Sequence, residues 1–543
     1  MSSNTNTPGM ELFVRRIDEN AKWQPHHALV RFAGGPDWET EGYRSLTWQQ
    51  YADGINKTAH WLDKTFGKSV NNDTVAYSGP SDVRYAFLFA ASVKTDGRFM
   101  KDGLDALLES SNCKIWLYSE GGAFSPEPEL AASGIHVEQF QSLEWCLSAQ
   151  GTEPYAYEKT YEQAKDDEIL IIHTGGTTGA PKPIFMNNGF WAAGCSSAGL
   201  ARRHWPRGIS TDSFYGRSLI LAIPMRLQPG LVLINMFAVF SGTCVIQPPP
   251  DVVGLPPAIF QKLLRLNKSL EFITYLGSAL DRVVGDALCE HTRLNSVMGA
   301  TESGGRFSLH PIDRKLWYSF QFIPEHHVRL VKLEGSGEAL GDGDDSDVYQ
   351  MFIDRPPDGG PSIYQCAFWN YKMFKDVETI DTKELWRLVK DSDGSTRWES
   401  VARTDDWTKL IWMAKFHAQD IETKVARYPG VKHVMVGGAG RIAPYVLIEV
   451  KEDLLERNHE ELLDDIYEKT IVGHNEISAK AVAIPRQTVF LASKEKPIKL
   501  TVKQLVLRRE VEKDYKEEIE DVYKTLEAAS NQTAGEKFVQ NMN

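Results

Sequence analysis

Cysteine is scarce in this 543-residue chain, and its six copies, Cys113, Cys146, Cys195, Cys244, Cys289 and Cys366, lie far apart with no CxxC pair. That spacing excludes a disulfide-stapled module and a metal-finger site, and predicts reduced core thiols. Long hydrophobic runs are missing too: the longest apolar stretch, Leu231 to Ile246, is broken by Asn235 and Ser241-Gly242, which argues against a bilayer-crossing helix. The opening MSSNTNTPGMELFVRR lacks the apolar region of a secretory leader. A cytoplasmic location and no membrane partner are therefore expected. Positive charge is in deficit, 60 basic against 73 acidic residues for a net −13, which speaks against nucleic acid as a partner. No repeat with a period of 20 to 50 residues occurs, so solenoids and propellers are excluded.

What is present is ordinary globular composition, 42% hydrophobic and 24% charged, in a length that predicts about 3 to 4 core-sized units. Short apolar runs (Ile169–His173, Leu219–Ile223, Cys244–Gln247, Phe272–Leu276) alternate with helical stretches (Leu231–Phe240, Ala258–Leu266, Asp281–His291). This alternation predicts an α/β architecture. Glu334 to Asp347 is acidic and glycine-rich and predicts an exposed loop; it lacks the glycine and terminal glutamate of an EF-hand. After Arg403-Thr404-Asp405-Asp406 the pattern restarts: a helix near Gln419–Ala426, strands near His433–Gly437 and Pro444–Val450, a helix near Leu454–Tyr467 and a strand near Thr488–Ala492. A second, small α+β domain is expected there. Its last helix carries an apolar stripe, Leu507, Val511, Tyr515, Ile519 and Val522, which predicts a packing face.

The segment that carries most chemistry is ILIIHTGGTTGAPKP, residues 169–183. An apolar strand runs into Thr174, Gly175, Gly176, Thr177, Thr178 and Gly179, followed by Lys182 between two prolines. Glycines let backbone N–H groups close around a polyanion, hydroxyls add donors, and lysine adds a mobile cation. It is not a Walker A loop, which needs GK[ST] at a helix start. On residues alone, a phosphate cradle and a Gly/Thr-rich hairpin turn both fit.

This segment resembles the phosphate loop of the adenylate-forming superfamily, which comprises acyl-CoA synthetases, nonribosomal peptide synthetase adenylation domains and luciferases. In form it is most similar to fungal adenylation domains of the carboxylic acid reductase type. The resemblance implies a large multi-subdomain N-terminal domain of layered sheets and helices, residues 1–402, a small mobile α+β lid, residues 403–530, and a flexible tail, residues 531–543. It also implies site residues. Met298, Gly299, Ala300, Thr301 and Glu302 resemble the nucleotide motif, with Thr301 contacting the α-phosphate and Glu302 holding Mg²⁺; alone, Ala-Thr-Glu also reads as a helix N-cap. Gly277, Ser278 and Ala279 resemble the loop against adenine, and otherwise a strand-to-helix turn. Asp376 would accept both ribose hydroxyls. Arg403 would reach ribose and phosphate, with Asp405 as the hinge; the residues alone also suit a surface salt-bridge cluster. Lys415, in KFHAQDIE, resembles a second nucleotide-side lysine. Lys503, in TVKQLVLRR, takes the register of the catalytic lysine, in preference to Lys499, and would neutralise charge as pyrophosphate departs.

Four positions depart from the family pattern. Gly175 stands where serine is usual, and Met298 where an aromatic ring usually stacks on adenine. Among the pocket residues Met225, Arg226, Leu227 and Gly230, Leu227 replaces a histidine or aromatic, and Arg226 beside it either pairs with a substrate carboxylate or faces solvent. Met413-Ala414 replaces the Gly-Glu of a hairpin that helps to form the thiol tunnel. No acidic residue in Pro224–Gly230 is placed to hold an α-ammonium group, so an aryl, acyl or keto acid is expected rather than an amino acid. Only 40 residues follow Lys503, too few for an about 80-residue carrier unit. The acyl acceptor, CoA first, then a carrier thiol or an amine, is therefore expected in trans, with ATP and Mg²⁺ as cofactors. An amide-forming ligase and a non-catalytic nucleotide binder are the alternatives.

Overall fold

The computed structural model of the chain describes residues 9–34, 38–101, 108, 110–121, 134–174, 182–205, 208–221, 228–247, 271–276, 280, 282–301, 303–333, 347–357, 362–404, 407–411, 415–478, 482–500 and 506–526. At the centre of the N-terminal part is a six-stranded sheet: β1 (Thr74–Ser78), β2 (Arg98–Lys101), β3 (Cys113–Tyr118), β4 (His136–Gln139), β5 (Glu168–Thr174) and β6 (Lys182–Asn187). The order is β4-β3-β1-β2-β5-β6, parallel throughout except for the antiparallel β5–β6 pair. Every residue of β1 is buried, as a parallel strand covered on both faces requires. Helix Arg84–Lys94 is buried along its whole length. The Lys94 ammonium survives burial because Asp18 meets it at 2.8 and 2.9 Å and Asn56 at 2.8 Å. Helix Trp48–Phe66 starts at a capping box in which the side chains of Thr47 and Gln50 each accept from the other's backbone N–H.

Helix α1 (Asn188–His204) follows β6 directly. Two parallel strands, β7 (Phe272–Leu276) and β8 (Arg293–Ala300), form a second sheet, closed by β9 (Gly304–Arg306) antiparallel to β8. A third, antiparallel sheet contains β10 (Ser319–Phe320), β11 (Val328–Lys332), β12 (Val348–Asp354), β13 (Thr379–Lys390) and β14 (Thr396–Arg403), in the order β10-β14-β13-β12-β11.

In the C-terminal part, strands Val431–Gly437, Tyr445–Val450 and Val489–Leu491 form one sheet between two helical layers. Alternation places Val434, Val436, Val446 and Ile448 on one core with helices Ala418–Ala426 and His459–Thr470. Met435, Tyr445 and Leu447 face the other core, filled by Val511, Tyr515, Ile519 and Tyr523 of the last helical stretch. The expected stripe is thus a packing face.

The strands expected at 244–247 and 272–276 are present with those bounds, and all six cysteines are buried and free. Two helices differ from expectation. Residues 454–467 do not form one helix: Glu452–Leu455 ends, and Asn458 starts a new helix by accepting from the N–H groups of Glu460 and Glu461. The 231–240 stretch is helical, but Leu233–Ala238 is wound as a π-helix. Ala258–Leu266 and the 334–346 loop lie outside the described residues. No described helix is long and apolar enough to cross a membrane.

Candidate functional site

The loop of residues 175–181 lies outside the described residues; the strands that flank it, β5 and β6, pair antiparallel in a register that sets Thr174 opposite Lys182 and His173 opposite Pro183. Thr174 is the carboxyl end of β5, whose other neighbour, β2, is parallel. In open α/β sheets that end is where ligands bind. The choice between cradle and hairpin turn for this segment falls on residues outside the described ones.

Of the motifs expected at 277–279 and 298–301, the first lies outside the described residues and the second ends β8. Parallel pairing sets Leu276, the last residue of β7, opposite Val297, next to Met298. Beyond Met298 the chain turns back on itself: Gly299 pairs with Gly305 and Ala300 with Gly304. Thr301 thus begins a hairpin turn and not a helix, and the N-cap alternative falls. Glycine is required twice here. A Cβ on Gly299 would meet the Gly304 carbonyl oxygen at 2.8 Å and Gly305 Cα at 3.0 Å, and Gly304 adopts φ +80°. Over Gly305 there is open space.

The Thr301 turn is tied to the phosphate-loop hairpin by a short chain of contacts. Tyr371, almost fully buried, donates its hydroxyl to the Thr301 carbonyl oxygen at 3.2 Å. Its ring stacks on Phe190 with centroids 4.7 Å apart. Phe190 opens α1, where Asn187, the last residue of β6, accepts from the Phe190 N–H at 2.8 Å and donates to the Asn370 carbonyl at 3.1 Å. The strand that begins at Lys182 and the turn that begins at Thr301 thereby share one anchor, the segment around Asn370–Tyr371.

Behind the turn, Arg306 is buried and donates to Ser303 Oγ at 2.5 Å. Burial lowers its pKa, with Glu384 opposing. Its Nη1 has no hydrogen-bond partner among the described residues and borders a cavity of about 10 Å³, shared with Ser303, His326 and Gln365. That is room for one water. His326 accepts from the Phe307 N–H at 2.8 Å through Nε2, and its Nδ1 lies 3.1 Å from the Tyr364 carbonyl. This is the neutral tautomer, and burial, followed by the neighbouring Arg306 charge, pushes its pKa down to about 3.

Asp376 is exposed, in the bend between the short helix Lys372–Phe374 and β13. Arg403 ends β14, half-buried, opposite Glu384 of β13. That register puts Arg403 towards the same end of β13 as Asp376. Gly230 is buried in helix Gln228–Val232. Met225, Arg226, Leu227, Glu302, Asp405, Met413, Ala414 and Lys503 lie outside the described residues, and of Lys415 only the strand it starts, Lys415–His417, is described.

In the C-terminal part, the two motifs expected to carry lysines meet. Glu422, the last residue of KFHAQDIE, accepts from the Val436 N–H at 2.8 Å and from Arg508 Nη2 at 2.5 Å. Arg508 also donates to the Val436 carbonyl at 2.7 Å. Burial raises the Glu422 pKa, and Arg508 opposes it. Leu500 and Val506 form a bridge on either side of residues 501–505. Lys499 is engaged elsewhere, 2.7 Å from Asp514. Sequence reasoning missed Tyr371, Arg306, His326 and Arg355, because a tyrosine, two arginines and a histidine outside any motif give no local signal.

With this geometry in place, comparison with known proteins assigns the class. The AMP-binding enzyme family matches residues 17–319, and the AMP-binding enzyme C-terminal domain matches residues 405–527. The chain belongs to the AMP-binding enzyme family, the adenylate-forming superfamily. It is 27% identical over 96% of its length to the isocyanide synthase-NRPS hybrid crmA of Aspergillus fumigatus, covering 34% of that protein. It is 28% identical over 97% of its length to the carboxylic acid reductase of Neurospora crassa, covering 52%. The chain thus spans from about a third to about half the length of these curated relatives. Among solved structures, an anthranilate CoA ligase, AuaEII, in complex with anthranoyl-AMP shares the fold, with a TM-score of 0.62, 14% identity, and coverage of 95% of this chain and 99% of that one.

Proposed function

We propose that the chain activates a carboxylic acid with ATP, forming an acyl-AMP and pyrophosphate, and passes the acyl group to an external nucleophile. The observation that supports this most is convergence. The Thr301 turn and the end of β6, two separate stretches of sequence, are joined through Asn370–Tyr371: the Tyr371 hydroxyl donates to the Thr301 carbonyl, its ring stacks on Phe190, and Asn187 donates to the Asn370 carbonyl.

In this reading the backbone and hydroxyls of Thr174–Gly179 and the Lys182 cation hold the β- and γ-phosphates, and Thr301 holds the α-phosphate. Asp376 takes the ribose hydroxyls, and Arg403 closes on ribose and phosphate. Adenine lies between residues 277–279 and Met298. Glu302 would offer Mg²⁺ one hard carboxylate oxygen, and the ion, when bound, would screen the triphosphate charge. The acid enters near Met225–Gly230. Its carboxylate attacks the α-phosphorus in line with departing pyrophosphate, and Lys503 neutralises the charge that develops. The part beyond Arg403 then turns about Asp405 and admits the acceptor.

The acid is aryl, acyl or keto, and the thiol of CoA or of a carrier protein is the first acceptor. Met413-Ala414, in place of the usual Gly-Glu, favours an amine as the second. The chemistry is tested by ATP–pyrophosphate exchange across a panel of acids. One acid class should support exchange, and Lys503→Ala should reduce it by about 100-fold or more. Absence of exchange with every acid, together with unaltered behaviour of Lys503→Ala, overturns the proposal. Product analysis with CoA and with amines, in wild type and Met413→Gly, decides the acceptor.

A further inference from the structure

Asp376 has to meet two hydroxyls at once, yet it is exposed on a short bend and its own packing does little to hold it. A bidentate contact requires the acceptor to be placed within about 0.5 Å. One half-buried side chain sets the path of that bend. Arg355, which follows β12, donates from Nη2 to the carbonyl oxygens of Phe374 at 3.0 Å and Lys375 at 2.8 Å, and from Nε to that of Val377 at 3.1 Å. These are the residues on either side of Asp376. The guanidinium is itself fixed, lying over the rings of Phe368 and Trp369 at 4.9 and 5.1 Å, and the Arg355 N–H donates to the Glu378 carbonyl at 2.8 Å. A planar, rigid fork stacked on aromatic faces can hold three carbonyls of one turn, whereas a lysine ammonium cannot hold all three in the same plane.

We propose that Arg355 is the positioning residue for Asp376 and that it thereby sets the enzyme's preference for a ribonucleotide. The proposal rests on the assignment of Asp376 to the ribose in the function proposed above. Arg355 touches no part of the nucleotide in this account; it acts by fixing the peptide units on either side of the carboxylate.

The test uses the full chain and two probes, ATP and 2′,3′-dideoxyATP, whose dissociation constants are measured by calorimetry without any acid. Wild type should bind ATP roughly tenfold more tightly, as two hydrogen bonds to a charged acceptor allow. Asp376→Asn should bring the ratio close to one. Arg355→Met should lower it at least fivefold with little change in dideoxyATP binding, and the double variant should fall no further. A general loss of structure weakens both probes together and leaves the ratio in place, so the ratio separates positioning from folding. If Arg355→Met keeps the wild-type ratio while Asp376→Asn loses it, Arg355 is not the positioning residue and the assignment of Asp376 stands. If Asp376→Asn keeps the ratio, the ribose assignment fails and this inference with it. Should Arg355→Met not fold, Arg355→Lys is read in the same way: at least a threefold drop supports the proposal, and an unchanged ratio overturns it.

Discussion

In the N-terminal part, Leu276 and Val297, which leads into the Met298–Thr301 turn, are neighbours because two parallel strands run side by side, held by a ladder of main-chain hydrogen bonds. In the C-terminal part, Glu422 and Arg508, 86 positions apart, are neighbours through one ion pair that also secures the Val436 peptide. A ladder spreads the work of alignment over many groups, none of which depends on side-chain identity. An ion pair concentrates it in two side chains. The first kind of junction should tolerate substitution, and the second should not.

The largest expected effect follows from that contrast. Arg508→Met leaves the half-buried Glu422 carboxylate without its cation and should cost the C-terminal part about 2–3 kcal/mol. Amide exchange across residues 431–437 should accelerate accordingly while exchange across 293–300 stays at wild-type rates. Equal acceleration in both strands would break the comparison.

Acid should strain the N-terminal side next. The folded pKa of His326, about 3, lies below its ordinary value of 6.5, so between those pH values the unfolded chain takes up a proton that the folded chain refuses. Stability is therefore intact above pH 6.5 and declines as pH falls towards 3, by about 2 kcal/mol between pH 7 and pH 5 from this group. His474, half-buried beside Lys424 and lowered to about 4, adds a smaller loss of the same sign on the C-terminal side. Denaturant midpoints at the two pH values measure the decline. It should flatten in His326→Gln, whose amide can still serve the Phe307 N–H and the Tyr364 carbonyl.

Tyr371→Phe removes one hydrogen bond from the Thr301 carbonyl and keeps the ring stack, so stability should fall by about 1 kcal/mol. ATP affinity should fall with it, because the Thr301 turn loses an anchor. Unchanged affinity would show that the strand ladder alone fixes the turn. Smallest of all, Lys499→Met breaks a solvent-screened pair with Asp514 and should leave stability close to wild type. Exchange activity should stay at the wild-type level, in contrast with Lys503→Ala.

Much of the architecture could be read along the chain because its causes are local. Short apolar runs such as Ile169–His173 and Phe272–Leu276 announce strands, and the four-residue spacing through Val511, Tyr515 and Ile519 announces a buried helix face. Finer details escaped because neighbouring residues compete. Asn458 can interrupt a helix or ride within one, and its cap on Glu460 and Glu461 settles the matter in favour of a break. Ala-Thr-Glu suits a helix start, but Gly299, Gly304 and Gly305 make a close hairpin cheaper, and the pairing with β9 prevails.

By itself the sequence supplied the candidate groups: a glycine- and threonine-rich segment with its lysine, a Thr-Glu pair, an aspartate, an arginine and Lys503, in an order that resembles the family's motifs. It could do so because such motifs are residue types at fixed local spacing. Only the tertiary structure decided which side chains hold those groups in place. Tyr371 reaches the Thr301 carbonyl, Arg355 spans the bend around Asp376, and Arg508 joins Glu422. Each is a contact between a side chain and a distant segment, and its partner is set by the packing of sheets and helices between them, which no local pattern encodes.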